Sequence, residues 1–161
     1  MMDRTKSIEL LNQAVGDELQ ALHQYMYFHF LLDDMGLAKL AGLFKQTAIE
    51  EMQHVELLAE RILFLRGDVE LNSSGPVNKV QEPEAMLNMA VGMEKQSAID
   101  YNQAAKVCGE NADSATKQIF EGLVADEERH FDQYDTELEN IRRYGASYLA
   151  LQSMQGPSEA N

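Results

Sequence analysis

Cysteine is almost missing from this sequence: Cys108 is the one cysteine among 161 residues. A single cysteine cannot form a disulfide within the chain, which fits a protein of a reducing compartment. It also excludes a zinc ribbon or a rubredoxin-type iron module within this chain, since both depend on several cysteine ligands. Cys108 lies near a predicted helix end and is expected to be inert.

Positive charge is also scarce. The sequence has 13 Lys and Arg residues against 27 Asp and Glu residues, which gives a formal net charge of -14. This balance argues against a surface that binds nucleic acid or an anionic membrane. It suits a protein that attracts cations, although acidity alone also serves solubility.

Long hydrophobic runs are absent. The longest apolar stretch, at 25–32, is interrupted by His29 and is far too short to span a bilayer. The first residues are polar and lack the apolar core of a signal peptide. The sequence therefore predicts a soluble cytoplasmic protein with no membrane partner.

Proline, the strongest breaker of helices, occurs only at positions 76, 83 and 157. Apolar residues recur every three or four positions, so long uninterrupted helices are predicted. Gly67 is the predicted C-cap of the second helix, and Asp113 or Ser114 is the predicted N-cap of the fourth. The predicted helices are 5–33, 37–66, 83–108, 114–144 and 146–154; residues 1–154 form one predicted domain and 155–161 a disordered tail.

Loop lengths predict how the helices are arranged. Short loops join the first helix to the second and the third to the fourth, so each pair should form an antiparallel hairpin. The fifteen residues at 67–81 can span roughly 50 Å, and a thirty-residue helix is roughly 45 Å long. The predicted fold is therefore all-α: a four-helix bundle of two antiparallel hairpins with one long crossover, plus a short fifth helix. This arrangement resembles the ferritin fold.

Two Glu-x-x-His motifs are the candidates for chemistry. One comprises Glu51 and His54 on the second helix, and the other comprises Glu127 and His130 on the fourth. This spacing places both side chains of a motif on one helix face, one turn apart. One such pair is a weak signal, but the two motifs are separated by 76 residues in the sequence, and that register recurs elsewhere.

The same offset of 76 residues relates Glu18 on the first helix to Glu94 on the third, and Tyr25 to Tyr101. The two hairpins therefore repeat one another. All the candidate ligands obey the repeat: Glu18, Glu51, His54, Glu94, Glu127 and His130.

The charge of these six residues points to metal. Four buried carboxylates without compensation would repel one another and raise each other's pKa values. Two divalent cations balance four carboxylates when both histidines are neutral. Oxygen-rich ligands with two imidazoles suit iron or manganese, whereas zinc would fit but be redox-silent. We therefore predict a dimetal centre, with iron as the preferred metal.

Met52 lies between Glu51 and His54 in sequence, and helical geometry points it away from the ligand face. Leu19, Met26 and Phe30 form a matching apolar stripe on the first helix, which Ile49 extends on the second. Such a second apolar face is usually buried against another subunit. On these grounds alone, Met52 is a packing residue of an interface.

The whole chain resembles the bacterioferritin family. The resemblance rests on the segments Gly16-Asp17-Glu18-Leu19, Gln24-Tyr25, Ile49-Glu50-Glu51-Met52-Gln53-His54, Glu60-Arg61-Ile62-Leu63-Phe64-Leu65 and Glu127-Glu128-Arg129-His130. It implies a hollow 24-subunit homo-oligomer that acts as a ferroxidase: it oxidises Fe(II) with dioxygen or hydrogen peroxide and stores the ferric mineral inside. It also implies haem b, which would admit electrons for iron release, and a small electron-donor protein as a partner.

The resemblance also implies residue roles. Glu51 and Glu127 would bridge a di-iron centre, Glu18 with His54 and Glu94 with His130 would complete the two coordination spheres, and Met52 would bind haem between two-fold-related subunits. Tyr25 would act beside the site, with an ordinary core tyrosine as the alternative. His23 is a rival haem ligand and otherwise a surface residue, and His29 is expected to be structural.

One departure concerns Gln46 and Thr47, where some relatives of the family carry a histidine and an acidic residue. The route of iron or electrons to the cavity is therefore left open. The alternatives to iron storage are a rubrerythrin-like peroxidase, a di-iron oxygenase and a non-storing haem-binding shell. A DNA-coating shell is disfavoured because the chain is acidic and lacks a basic tail.

Overall fold

The computed structural model describes residues 4–155, which form helices and their connections as predicted. The predicted tail from residue 156 onwards lies outside the described residues. None of the helices in the described range combines the length and apolar character that a membrane span requires. The helices are α1 (Thr5–Asp34), α2 (Ala38–Phe64), α3 (Pro83–Glu110), α4 (Ser114–Tyr144) and α5 (Ala146–Met154).

The four long helices form two hairpins, α1 with α2 and α3 with α4. Pro83 opens α3 in its first turn, where the missing N–H costs nothing. Asp113 caps α4, because its side chain accepts a hydrogen bond from the backbone N–H of Thr116. The predicted ends agree with the observed ones to within two residues.

The prediction for Gly67 was wrong. α2 ends at Phe64, and the residue with positive φ is Arg66, at 65°. The N–H of Arg66 bonds to the carbonyl of Leu63, and that of Gly67 to the carbonyl of Ile62, which is a Schellman motif. Gly67 is needed for space instead, because a Cβ at this position would lie 2.7 Å from a methyl carbon of Ile8.

The crossover between α2 and α3 is fastened along α1. The carbonyl of Gly16 accepts a hydrogen bond from the N–H of Ser74, and Gln24 pairs with the backbone of Asn78 in both directions. A Cβ on Gly16 would meet Ser74 Oγ at 2.7 Å, so this close approach requires glycine. The connection thus runs the length of the bundle and α2 lies parallel to α3, as predicted.

Two apolar clusters fill the bundle. One joins the end of α1 to the starts of α2 and α3, with Phe28, Phe44 and Tyr134 at its centre. The other joins the start of α1 to the ends of α2 and α3, around Leu11 and Phe120. A buried polar layer between these clusters holds the predicted ligands.

Candidate metal centre

All six predicted ligands lie in this polar layer. Each of the four long helices contributes at least one of them. On α2 and α4, the one-turn spacing within a Glu-x-x-His motif turns both side chains inward. None is more than 5 % exposed. They are Glu18 on α1, Glu51 and His54 on α2, Glu94 on α3, and Glu127 and His130 on α4.

These residues form two overlapping groups of four. Glu51 and Glu127 belong to both groups; Glu18 and His54 complete one. Glu94 and His130 complete the other. Within each group one ligand atom from each residue lies within 4.8 Å of all the others. We call these groups the His54 half-site and the His130 half-site.

The two shared carboxylates lie between the two imidazoles. Glu51 directs Oε2 to His54 Nδ1, at 3.3 Å, and Oε1 to His130 Nδ1, at 3.1 Å. Glu127 does the same, with its two oxygens 3.2 Å and 3.9 Å from the two Nδ1 atoms. Each carboxylate therefore offers one oxygen to each half-site, the arrangement that a bridging ligand needs.

Unpaired atoms test whether a metal fits here. Seven buried oxygen and nitrogen atoms of the six residues have no hydrogen-bond partner, including both oxygens of Glu51 and the Nδ1 atoms of His54 and His130. An unpaired buried polar atom costs about 1–3 kcal/mol. Their number and shared direction fit metal coordination, and the mixed carboxylate and imidazole set suits iron, manganese or zinc.

Without metal, the site gathers protons. Burial lowers the pKa of His54, but the neighbouring carboxylates of Glu127 and Glu51 outweigh burial and raise this pKa to about 11. The pKa of His130 rises to about 10, because the neighbouring carboxylates of Glu51 and Glu94 outweigh the same burial effect. Burial and the charge of Glu51 raise the pKa of the Glu127 carboxyl. Protons thus compensate charges that a metal would otherwise balance.

Each histidine is held from behind by a second carboxylate. His54 Nε2 lies 3.0 Å from Asp126 Oδ2, and His130 Nε2 lies 2.6 Å from Glu50 Oε2. A proton on Nε2 donated to these carboxylates leaves Nδ1 free to bind metal. Glu50 and Asp126 were not among the predicted site residues. Yet they are 76 residues apart and each precedes a ligand glutamate, so the repeat could have identified them.

Two tyrosines cross between the hairpins. Tyr25 on α1 donates a hydrogen bond of 2.5 Å to Glu94 on α3, and Tyr101 on α3 donates one of 2.5 Å to Glu18 on α1. Burial, together with nearby carboxylates, raises the pKa of both hydroxyls, so they remain protonated donors. Tyr25 therefore lies beside the candidate ligands, and its role there stays a prediction. Tyr101 was predicted only as the repeat mate of Tyr25 and not as a residue of the site.

Met52 lies on the exposed side of α2, whereas its neighbours Glu51 and His54 are buried. Its side chain is exposed, as are those of Phe30 and Ile49 of the predicted stripe. His23 is exposed, whereas Nδ1 of His29 lies 2.7 Å from the carbonyl oxygen of Ala41, in keeping with a structural role.

Cys108, Gln46 and Thr47 lie outside the two half-sites. Cys108 is buried, and burial raises the pKa of its thiol. Gln46 is exposed, and Thr47 is buried with its hydroxyl bonded to the carbonyl of Leu43.

Comparison with known proteins agrees with this geometry. The family model of the Ferritin-like domain matches residues 8–144. A bacterioferritin of Desulfovibrio desulfuricans is 37% identical over 91% of this chain and 82% of its own length. The chain belongs to the bacterioferritins, within the ferritin family.

Other bacterioferritins are similarly related. That of Rhodobacter capsulatus is 36% identical over 94% of both chains, and that of Brucella melitensis is 34% identical over 90% of both. The X-ray structure of the D. desulfuricans bacterioferritin, described as showing its diiron site in different catalytic states, superposes with a TM-score of 0.94. It is 35% identical and covers 98% of this chain, with 92% of its own covered. The ferritin-like fold is thereby confirmed.

Proposed function

We propose that this chain is a ferroxidase and iron-storage subunit. Fe(II) is its substrate, bound in pairs at the dimetal site and oxidised by dioxygen or hydrogen peroxide. The ferric product collects inside a homo-oligomeric shell, for which we propose 24 subunits. The domain that carries this function is residues 1–154.

The observation that carries the proposal is the position of Glu51 and Glu127 between two imidazoles, with one oxygen of each turned to each half-site. This geometry supports bridging by both carboxylates. Glu18 lies 3.3 Å from Nδ1 of His54, and Glu94 lies 3.5 Å from Nδ1 of His130. These two carboxylates would therefore be terminal ligands, one for each iron.

The protein's part in the chemistry is to hold two irons close together and to manage charge and protons. Two Fe(II) ions give up one electron each, which reduces one dioxygen to hydrogen peroxide or one hydrogen peroxide to two waters. Asp126 and Glu50 hold the histidine rings in the ligating tautomer. Tyr25 and Tyr101 orient the terminal carboxylates, and protons displaced from the site when metal binds become available for the reduced oxygen.

Haem b is the second group that we propose. Met52 and Ile49 are exposed apolar side chains of α2, and Phe30 is an exposed apolar side chain of α1. A thioether can serve as an axial ligand of haem iron. We propose that Met52 and the same residue of a two-fold-related subunit bind one haem between them, which would admit electrons from a donor protein for iron release.

Iron uptake tests the proposed function. Fe(II) added anaerobically should bind at two ions per chain, and air should then produce ferric absorbance. Further additions should be oxidised and retained in large excess over two per chain. Saturation at two would contradict storage while leaving a dimetal enzyme, and a failure to bind two would contradict the site.

A matched pair of variants localises the reaction. Glu51→Gln should lose the rapid initial oxidation, because it removes a bridging carboxylate. Glu56→Gln makes the same change at an exposed position of the same helix and should leave oxidation unchanged. Equal activity in both variants would show that oxidation occurs elsewhere.

A further inference from the structure

The two half-sites have matching ligands but unequal surroundings. The His130 side chain is fully buried, whereas that of His54 is 7 % exposed. Behind them, the Glu50 side chain is 20 % exposed and that of Asp126 is 44 % exposed. The two half-sites therefore differ in the residues behind their histidines, although the ligands themselves match.

Arg129 is one source of the difference. Its Nη2 lies 2.5 Å from Glu50 Oε2, the same oxygen that lies 2.6 Å from His130 Nε2. The same Nη2 is 3.5 Å from Asp126 Oδ1, at the limit of a hydrogen bond. The repeat mate of Arg129 is Gln53, which carries no charge. Glu50, behind His130, thus forms a short ion pair with Arg129. Asp126, behind His54, is only at the limit of a hydrogen bond with the same guanidinium.

A surface cleft is the other source. It has a volume of about 480 Å³, and Leu57, Ile119, Gly122 and Asp126 are among its lining residues. Asp126, which holds His54, therefore stands in the wall of an open space. The repeat mate of Gly122 is Gln46, so the corresponding position of the other hairpin carries a long side chain where this one has none.

We propose that Arg129 is a positioning residue that makes the half-sites unequal, so that the His130 half-site holds metal more tightly than the His54 half-site. A histidine that can swing away from its half-site releases its metal ion more readily than one that is held in place. Movement of His130 breaks its bond to a carboxylate that Arg129 keeps in place, whereas Asp126 can follow His54 towards the cleft. The inference rests on the proposed dimetal site.

Co(II) binding to the assembled full-length protein tests the inference, followed by visible ligand-field absorbance without any oxidation. Wild-type protein should bind two Co(II) per chain in two resolved steps. Glu50→Gln should weaken the tighter step by about 10–100-fold, the usual effect of losing such a partner. Asp126→Asn should weaken the other step by a similar factor and thereby assign each step to its half-site.

Arg129→Gln gives position 129 the residue of its repeat mate. It should weaken the tighter step by roughly 3–10-fold, at or below the lower end of outer-partner effects because Arg129 acts through Glu50, and leave the other step unchanged. Arg129→Lys should restore part of the loss. Arg142→Gln is the matched control, since Arg142 is an equally exposed arginine of α4 that pairs with Glu84, and it should change neither step.

Two Co(II) ions bound with equal affinity in the wild type would overturn the inference and leave the dimetal site standing. Equal weakening of both steps in Arg129→Gln, or none, would overturn it too. Fewer than two Co(II) per chain would instead contradict the dimetal site, and with it the proposed function.

Discussion

Glu127→Gln should make the metal-free protein more stable and the metal-bound protein less so. Burial and the charge of Glu51 raise the pKa of the Glu127 carboxyl above its ordinary 4.5, so folding at neutral pH must either bury a charge or take up a proton. At 1.36 kcal/mol per pH unit, the cost of taking up a proton is at most about 3.4 kcal/mol at pH 7. Glutamine keeps the shape and removes the charge. Glu18 and Glu51, each 3.3 Å from His54 Nδ1, remain to pair that imidazole.

The expected gain for the metal-free variant is about 1–3 kcal/mol at neutral pH. Because the pKa is raised in the folded state, the penalty in the wild type appears as pH rises above 4.5 and is absent below it. The difference between variant and wild type should therefore close as the solution is acidified towards that value.

Metal reverses the order. A ligand at a hundred times its Kd stabilises a protein by about 2.7 kcal/mol per site, and each kcal/mol shifts the Tm of a chain this long by about 2–4 °C. Two Zn(II) ions should therefore raise the Tm of the wild type by roughly 10–20 °C. The variant lacks the carboxylate that we propose as a bridge and should gain less than half of this shift.

Thermal unfolding followed by circular dichroism, with and without Zn(II), measures both effects. Glu128→Gln is the control, because Glu128 is the exposed neighbour of Glu127 and should behave as the wild type. A metal-free Glu127→Gln variant that unfolds at a lower temperature than the wild type would refute the electrostatic reasoning. Equal stabilisation of both proteins by Zn(II) would refute the assignment of Glu127 as a ligand.

Three further predictions concern other parts of the chain. Met52→Leu should abolish haem binding, read from the haem absorption spectrum, and leave iron oxidation intact; a variant that keeps the spectrum would disprove the ligand assignment. Tyr25→Phe should slow the initial oxidation several-fold while still binding two Fe(II) per chain, since it removes only the hydroxyl that orients Glu94; an unchanged rate would favour a plain core role. Asp113→Ala should destabilise the protein by about 2–4 kcal/mol in chemical denaturation, because it removes both the N-cap of α4 and the ion pair with the half-buried Arg61, which keeps only its bond to Thr116. Burial raises the pKa of Asp113, but hydrogen bonds from Thr116 and Ser7 outweigh burial and lower it to about 2, so the difference from wild type should persist down to pH 3.8 and vanish only as pH falls through about 2.

The arrangement of helices and the set of candidate ligands could be predicted because both depend on distances along the sequence, namely loop lengths and the spacing of repeated residues. Scarce proline and short loops indicate hairpins, and the length of the crossover allows a parallel α2 and α3. The repeat then relates Glu51 and His54 to Glu127 and His130. The repeat identifies the ligands because each candidate ligand of one hairpin faces the matching residue of the other hairpin across the bundle axis.

Other features depend on contacts between distant residues, which spacing does not reveal. Gly67 looks like a cap in sequence, but the space that it leaves is taken by Ile8. The role of Tyr101 required knowing that its hydroxyl crosses to Glu18 on another hairpin. Arg129 breaks the repeat, so a search for matching positions passes over it.

The crossed tyrosine bonds determine when the candidate metal site is complete. Tyr101 reaches Glu18 across 83 positions of sequence, and Tyr25 reaches Glu94 across 69. Each hairpin therefore orients the terminal carboxylate of the other. A chain still emerging from the ribosome has its first hairpin long before α4, and so lacks both an oriented Glu18 and the second bridging carboxylate. Under the proposed function, iron capture and the oxygen chemistry that follows it would be deferred until synthesis of the bundle is complete.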